Sequence, residues 1–257
     1  MRSAIKKPIG VYDSGVGGLT VLRELMSCLP CEDFIYFADT QHLPYGDKTP
    51  DQIKEYSKNI VAWFENVMNA KMVVAACNTS SAIALDGLTS KIPVIGTIYP
   101  ILDEIMESRT IGIIATPASV NSKMHENIFI KNGFKGKVAY VSCPDFVPLI
   151  EYGKIESPET EEAAKGYLSQ FEGHNIDTLI YGCTHYPFIK NTIEKLLPGV
   201  KYIDPANFIA HEVLKNNVVG AHMGSVKFYC SSDADGFKAK IEKLTNFKNF
   251  EVVLEKL

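Results

Sequence analysis

Two cysteines sit in matching surroundings. VVAACNT at 73–79 and LIYGCTH at 179–185 each run from an apolar stretch through a small residue to cysteine, with a threonine close behind. A thiolate is a nucleophile and a base, and a thiol is an acid, so a cysteine at a strand end has chemistry that an aliphatic residue lacks. Cys77 is followed by Asn78, Thr79, Ser80 and Ser81, all able to cap a helix running from Ala82 onward. Free N–H groups at a helix start lower a thiol's pKa and hold a carboxylate. Cys183 has His185 two residues on, as in nucleophilic Cys/His pairs. Taken singly, each cysteine is equally well a small buried hydrophobe at a strand end. The echo adds an expectation: two related α/β halves facing each other, with both thiols brought to a shared cleft.

Other motifs carry less. DSGVGGLT (13–20) looks like a phosphate loop but lacks the GK[ST] ending, so no lysine is placed for a nucleotide. An acidic partner at Asp13 plus close backbone approach to a small ligand is the better use. Cys28 and Cys31 form CLPC at the end of a helical pattern, whereas a redox motif opens one. Cys183 and His185 supply two zinc ligands without a second close pair. Cys143 and Cys230 read as packing residues.

The elements that position these residues alternate. Short β-branched runs at Ile9–Tyr12, Phe34–Phe37, Met72–Ala76, Val94–Thr97, Ile111–Ala115, Val138–Val141, Thr178–Tyr181 and Val226–Tyr229 read as buried strands. Helical patterns lie between them at Thr20–Cys28, Asp51–Met68, Ser119–Asn132, Glu159–Phe171 and Ala206–Asn216. That alternation predicts an α/β fold with mainly parallel sheets flanked by helices. Ligands of such sheets gather beyond the carboxyl ends of the strands. The residues there are DSG (13–15), ADTQHLPYG (38–46), CNTSS (77–81), ATPAS (115–119), CPDF (143–146) and CTHYP (183–187).

Composition narrows the classes. The 257 residues have ordinary globular composition, 46% hydrophobic and 22% charged. A net charge of −4 with scattered Lys and Arg offers no surface for nucleic acid. No apolar stretch is long enough to span a bilayer, and MRSAIKKPIGVYDSG reaches Asp13 without a signal-peptide core, so a cytoplasmic location is expected. Six cysteines are too few for a disulfide scaffold and are expected to be free thiols.

Together, GVYDSGVGGLTVLREL, LPYGDKT, VVAACNTSSA, PVIGTIYP, GIIATPAS and LIYGCTHYP resemble the glutamate racemases of the aspartate/glutamate racemase family, over almost the whole chain. The resemblance implies two pseudo-symmetric domains, 1–98 with 206–257 and 99–205, and an active site at their interface. It implies ligand contacts at Asp13, Ser14, Tyr45, Gly46, Asn78, Thr79, Thr184 and His185. Cys77 and Cys183 are the implied bases, Cys77 abstracting the proton from D-glutamate and Cys183 from L-glutamate. Asp13 would assist Cys77 and His185 would assist Cys183, with Glu151 and Thr116 as further helpers. Ser80 stands where the family commonly has alanine. No cofactor or metal is implied; the expected partner is a small-molecule substrate, and the sequence leaves the oligomeric state open, a homodimer included. The resemblance also implies that the D-glutamate supplies peptidoglycan synthesis.

Racemisation needs one deprotonated and one protonated group on opposite faces of the α-carbon. A free thiol is only about 3% ionised at neutral pH, so a helix end or a histidine must lower one of the pair. Without pyridoxal phosphate, hydrogen bonds in a water-poor cleft must stabilise the carbanion, with Asn78, Thr79 and Thr184 as donors. Rival readings are an aspartate or hydantoin racemase, a non-catalytic binding protein on the same fold, and a thiol hydrolase using Cys183 and His185.

Overall fold

The computed structural model describes residues 7–215 and 223–257. Six strands form the first sheet: β1 (Ile9–Asp13), β2 (Phe34–Ala38), β3 (Met72–Ala75), β4 (Val94–Ile95) and, far along the chain, β9 (Val226–Cys230) and β10 (Val252–Leu254). Four form the second: β5 (Thr110–Ala115), β6 (Lys137–Ser142), β7 (Thr178–Gly182) and β8 (Lys201–Ile203). Every pairing is parallel. The orders are β10-β9-β2-β1-β3-β4 and β6-β5-β7-β8. Within them β2-β1-β3-β4 and β6-β5-β7-β8 are the same arrangement, so the sequence echo marks a repeat of strand order, with Cys77 and Cys183 each following the third strand of its set.

The helices are α1 (Leu19–Cys28), α2 (Pro50–Asn66), α3 (Asn78–Ile83), α4 (Leu102–Ile105), α5 (Pro117–Ser122), α6 (Met124–Lys131), α7 (Phe146–Glu151), α8 (Pro158–Leu168), α9 (Lys190–Leu196), α10 (Pro205–Lys215) and α11 (Ala234–Leu244). They cover both sheet faces. Val11, Tyr36 and Val74 pack with Leu22 and Leu25 of α1 and Ile209 and Val213 of α10, while Tyr12, Phe37 and Val73 pack with Ile60 and Phe64 of α2. Burial on both faces explains why these strands read as unbroken apolar runs. In the second sheet Ile111 and Ile113 meet Ile128 and Phe129 of α6, and Ile114 and Leu179 meet Phe146 and Ile150 of α7.

The eight expected strands are all present, while the three-residue β8 and β10 carry too little apolar sequence to announce themselves. The expected helix over 119–132 is two helices. Lys123 takes a left-handed conformation (φ 53°), and Ser122 Oγ donates to Ser119 O (2.7 Å) and accepts from Met124 N (3.2 Å), a local competitor for the helical ladder. The helix expected from Ala82 starts at Asn78 instead, with Cys77 itself at the cap position. Asn216, at the end of another expected helix, lies outside the described residues. Thr49 and Gln52 form a reciprocal capping box that starts α2 and so fixes the loop just ahead of it, which carries Tyr45 and Gly46. No helix among the described residues is long and apolar enough to cross a membrane.

Candidate active site

In a doubly wound sheet the crevice opens where strand order reverses, between β1 and β3 in one sheet and between β5 and β7 in the other. Asp13 ends β1, and Cys77 lies just beyond β3; Thr116 follows β5, and Cys183 follows β7. One small cavity is lined from both crevices. Ser14, Pro44, Tyr45, Gly46, Cys77, Asn78 and Thr79 come from the first sheet's loops, and Thr116, Val147, Cys183, Thr184 and His185 from the second's. Its volume is about 10 Å³, no more than a water needs.

Hydrogen bonds tie the two crevices together. Thr184 Oγ1 donates to Asp13 Oδ2 (2.9 Å), while Gly15 N donates to Asp13 Oδ1 (2.9 Å). Glu151 Oε1 accepts from Val16 N (3.1 Å) and lies 2.8 Å from His185 Nε2. His185 Nδ1 lies 3.8 Å from Cys183 Sγ. On the other side of the cavity, the hydroxyls of Thr79, Thr116 and Ser119 close a triangle with edges of 2.9, 3.1 and 3.2 Å.

The glycines of DSGVGG serve this junction by their bareness. None has a left-handed φ. A Cβ on Gly15 would overlap Glu151 Oε1, and one on Gly17 would overlap His185 Nδ1 and Thr184 Oγ1. A Cβ on Gly46 would fall 2.7 Å from Thr116 Cβ. Small residues are therefore required where loops of the two sheets touch.

Burial and charge act strongly on the groups around the cavity. Burial, and then the charge of Asp13, pushes Cys77 up to about 12, outweighing the hydrogen bond from the Ser80 N–H. The expectation that a helix end lowers this thiol is thus corrected: the helix contributes, but desolvation is larger. Burial opposes the His185 imidazolium, yet its hydrogen bonds with Cys183 and Glu151 prevail and hold its pKa well above the ordinary histidine value. Burial raises Glu151, but hydrogen bonds and charge from His185 and Lys240 bring it down to about 2. Asp13 is raised by burial, against His185's charge and the hydrogen bonds from Gly15 and Thr184.

Of the residues singled out in sequence, Asp13 and Glu151 stand behind the cavity wall; the other ten line it. Asp13 reaches the cavity through Thr184, and Glu151 through His185. Asp39 was not foreseen. It accepts from Tyr45 Oη (2.6 Å) and Ser231 Oγ (2.7 Å) and lies 2.8 Å from His42 Nδ1, anchoring the loop that carries Tyr45 and Gly46. A carboxylate near the start of ADTQHLPYG, just past β2, was its one sequence signal. Cys28, Cys77, Cys143, Cys183 and Cys230 are free thiols, with Cys143 and Cys230 fully buried.

Two repeated parallel sheets with a thiol at each facing crevice define a doubly wound α/β protein built around a paired-thiol cleft. Residues 22–213 match the family described as Asp/Glu/Hydantoin racemase. A glutamate racemase of Rippkaea orientalis is 46% identical over 213 residues, covering 81% of this chain and 75% of the relative. The crystal structure of a Francisella tularensis glutamate racemase in complex with D-glutamate overlays with a TM-score of 0.88 at 36% identity, covering 96% of this chain and 97% of that one. One from Thermus thermophilus, in complex with β-chloro-D-alanine, gives 0.89 at 35%, with 98% of each chain covered. The chain belongs to the Asp/Glu/Hydantoin racemase family and is an amino-acid racemase, an isomerase.

Proposed function

We propose that this protein interconverts L- and D-glutamate without pyridoxal phosphate, Cys77 and Cys183 acting as acid and base on opposite faces of the substrate. The observation that carries the reading is that each sheet's crevice delivers one thiol into the same cavity. The relatives' names and the D-glutamate complex support glutamate as substrate.

In the L-to-D direction Cys183 takes the α-proton while Cys77, held neutral by its high pKa, gives one to the opposite face. Each turnover leaves the pair with exchanged states, ready for the reverse reaction. His185, in contact with Cys183, answers the charge change there, and the Asp13 carboxylate acts on Cys77 through its field. Asn78, Thr79 and Thr184 bind the substrate's polar groups and the charge developing on its α-carboxylate. Asn78 Oδ1, buried and without a hydrogen-bond partner among the described residues, accepts from the substrate ammonium.

The closed cavity is far smaller than glutamate, so the two halves, 1–98 with 206–257 and 99–205, part to admit it and close to exclude water. The return of β9 beside β2 supports that division. The D-glutamate formed in the cytoplasm supplies peptidoglycan synthesis.

The test is purified protein with L-glutamate in D₂O and no added cofactor. D-Glutamate carrying deuterium at Cα is expected, with aspartate and a hydantoin turned over far more slowly. Dependence on added pyridoxal phosphate, or preference for either competitor, overturns the reading.

A further inference from the structure

Glu151 has two oxygens and three partners. Oε1 faces His185 and Val16 N, and Oε2 accepts from Lys240 Nζ at 2.7 Å. Lys240 belongs to α11, in the C-terminal segment whose strands join the first sheet, whereas Glu151 ends α7 beside the second. The same face of α11 carries Lys243, whose ammonium lies against Gly153 in the left-handed turn after α7 (φ 72°). One helix face is therefore seated on residues 151–153, and the ion pair is its innermost contact: the Glu151 side chain is 7% exposed and that of Lys240 37%. A single buried carboxylate between an imidazole and an ammonium has its charge shared between them.

We propose that Lys240 is a positioning residue for the reaction: from the C-terminal helix it holds the Glu151 carboxylate against His185, and through those two groups it sets the pH at which the Cys183 side of the site becomes active. The proposal rests on the reading of Cys183 as one of two acid/base thiols. The titratable groups facing this relay are Asp13 from β1, Tyr36 from β2, Cys77 ahead of α3, Cys143 after β6, and Tyr186 beyond Cys183, with Lys240 and Lys243 from α11. Apart from His185 itself, the lysines are the cations in that set. Removing the one in contact favours proton uptake at every group in the relay, so the acid limb of the rate moves to higher pH.

The experiment is the pH profile of kcat/KM for L-glutamate in the wild type, Lys240→Met, Lys240→Arg and Lys243→Met. Lys240→Met is expected to move the acid limb up by about 0.5–1 pH unit, the pair being partly screened, and so to lose about 3–10-fold in rate below the limb. Lys240→Arg restores the wild-type limb, and Lys243→Met leaves it in place. Lys240→Gln gives a second route if methionine disturbs the seating of α11. A purely structural lysine lowers activity equally at every pH; that result, or an equal shift in Lys243→Met, overturns the proposal. The pH dependence of Cys183 alkylation by iodoacetamide, followed by peptide mass spectrometry, reads the same shift without substrate. An inactive wild type would sink the racemase reading, whereas an unmoved alkylation profile sinks the role of Lys240.

Discussion

Thr184 Oγ1 donates to Asp13 Oδ2 across 2.9 Å, joining the end of β1 in one sheet to the residue after Cys183 in the other. The same carboxylate is fully buried and also orders the DSGVGG turn through Gly15 N. Asp13 is thus both a clasp between the two sheets' loops and the charge that acts most strongly on Cys77. Those two roles make different demands: the clasp works as well with a neutral group, whereas the field at Cys77 needs the charge.

Asp13→Asn separates them. Burial leaves the carboxyl's folded pKa above its ordinary value of 3.8, so the folded state binds the proton more tightly than the unfolded one. The stability this gives is complete below the unfolded pKa and is lost as pH rises through the folded one. An amide pays no such penalty. At neutral pH the variant is expected to melt about 2–4 °C above the wild type, with the gap closing toward about pH 4. Racemisation falls by about 10²-fold or more with the loss of the charge. Full activity together with the higher melting temperature would show that the charge has no part in the reaction.

Cys77→Ser and Cys183→Ser should each lower kcat/KM by about 10²–10⁴-fold, because an alcohol is a far poorer acid and base than a thiol. The two enantiomers of glutamate have equal free energy, so each variant must lose the same factor in kcat/KM in both directions. Near-wild-type turnover in either variant, followed by circular dichroism of the amino acid, removes the two-base mechanism.

Much of this was legible in the chain. Buried β-branched runs gave eight strands, and the small-Cys-Thr endings at Cys77 and Cys183 marked equivalent positions of a repeated strand order. What escaped depended on contacts distant in sequence. Lys240 looks like any helical surface lysine until α11 is laid against Glu151, and Asp39 gains its role only when β9 delivers Ser231 beside it. Ser119 closes the hydroxyl triangle because α3 and α5 meet there. Local competition, as at Ser122, breaks a helix whose apolar period runs on unbroken.

Two alanine substitutions test whether glycine is needed for space or for conformation. Gly17 has an ordinary φ, but a Cβ there overlaps His185 and Thr184, so Gly17→Ala should misplace the Cys183 loop and cost about 10²-fold in kcat. Gly87 has a φ of 83° and open space around it. Gly87→Ala should cost about 1–2 kcal/mol of stability through left-handed strain while leaving kcat unchanged. Steady-state kinetics and urea unfolding of both variants decide the matter. If Gly17→Ala retains full kcat, the junction is looser than its geometry implies.

Glu151→Gln gives the acid counterpart to Asp13. The Glu151 carboxyl falls from 4.5 to about 2 because hydrogen bonds and charge from His185 and Lys240 overcome the cost of burial. A depressed folded pKa contributes stability that is present above the unfolded value and lost as pH falls through the folded one. A shift of that size corresponds to roughly 3 kcal/mol, held jointly with His185. Glutamine keeps the shape, leaves Lys240 without its anion, and deprives His185 of the charge that favours its imidazolium. Urea unfolding across pH should therefore show the wild type ahead by the largest margin near neutrality, the margin shrinking below pH 4.5 and vanishing near pH 2. A margin that stays constant over that range would mean that Glu151 contributes by packing and hydrogen-bond geometry, and that its charge does not hold the two halves together.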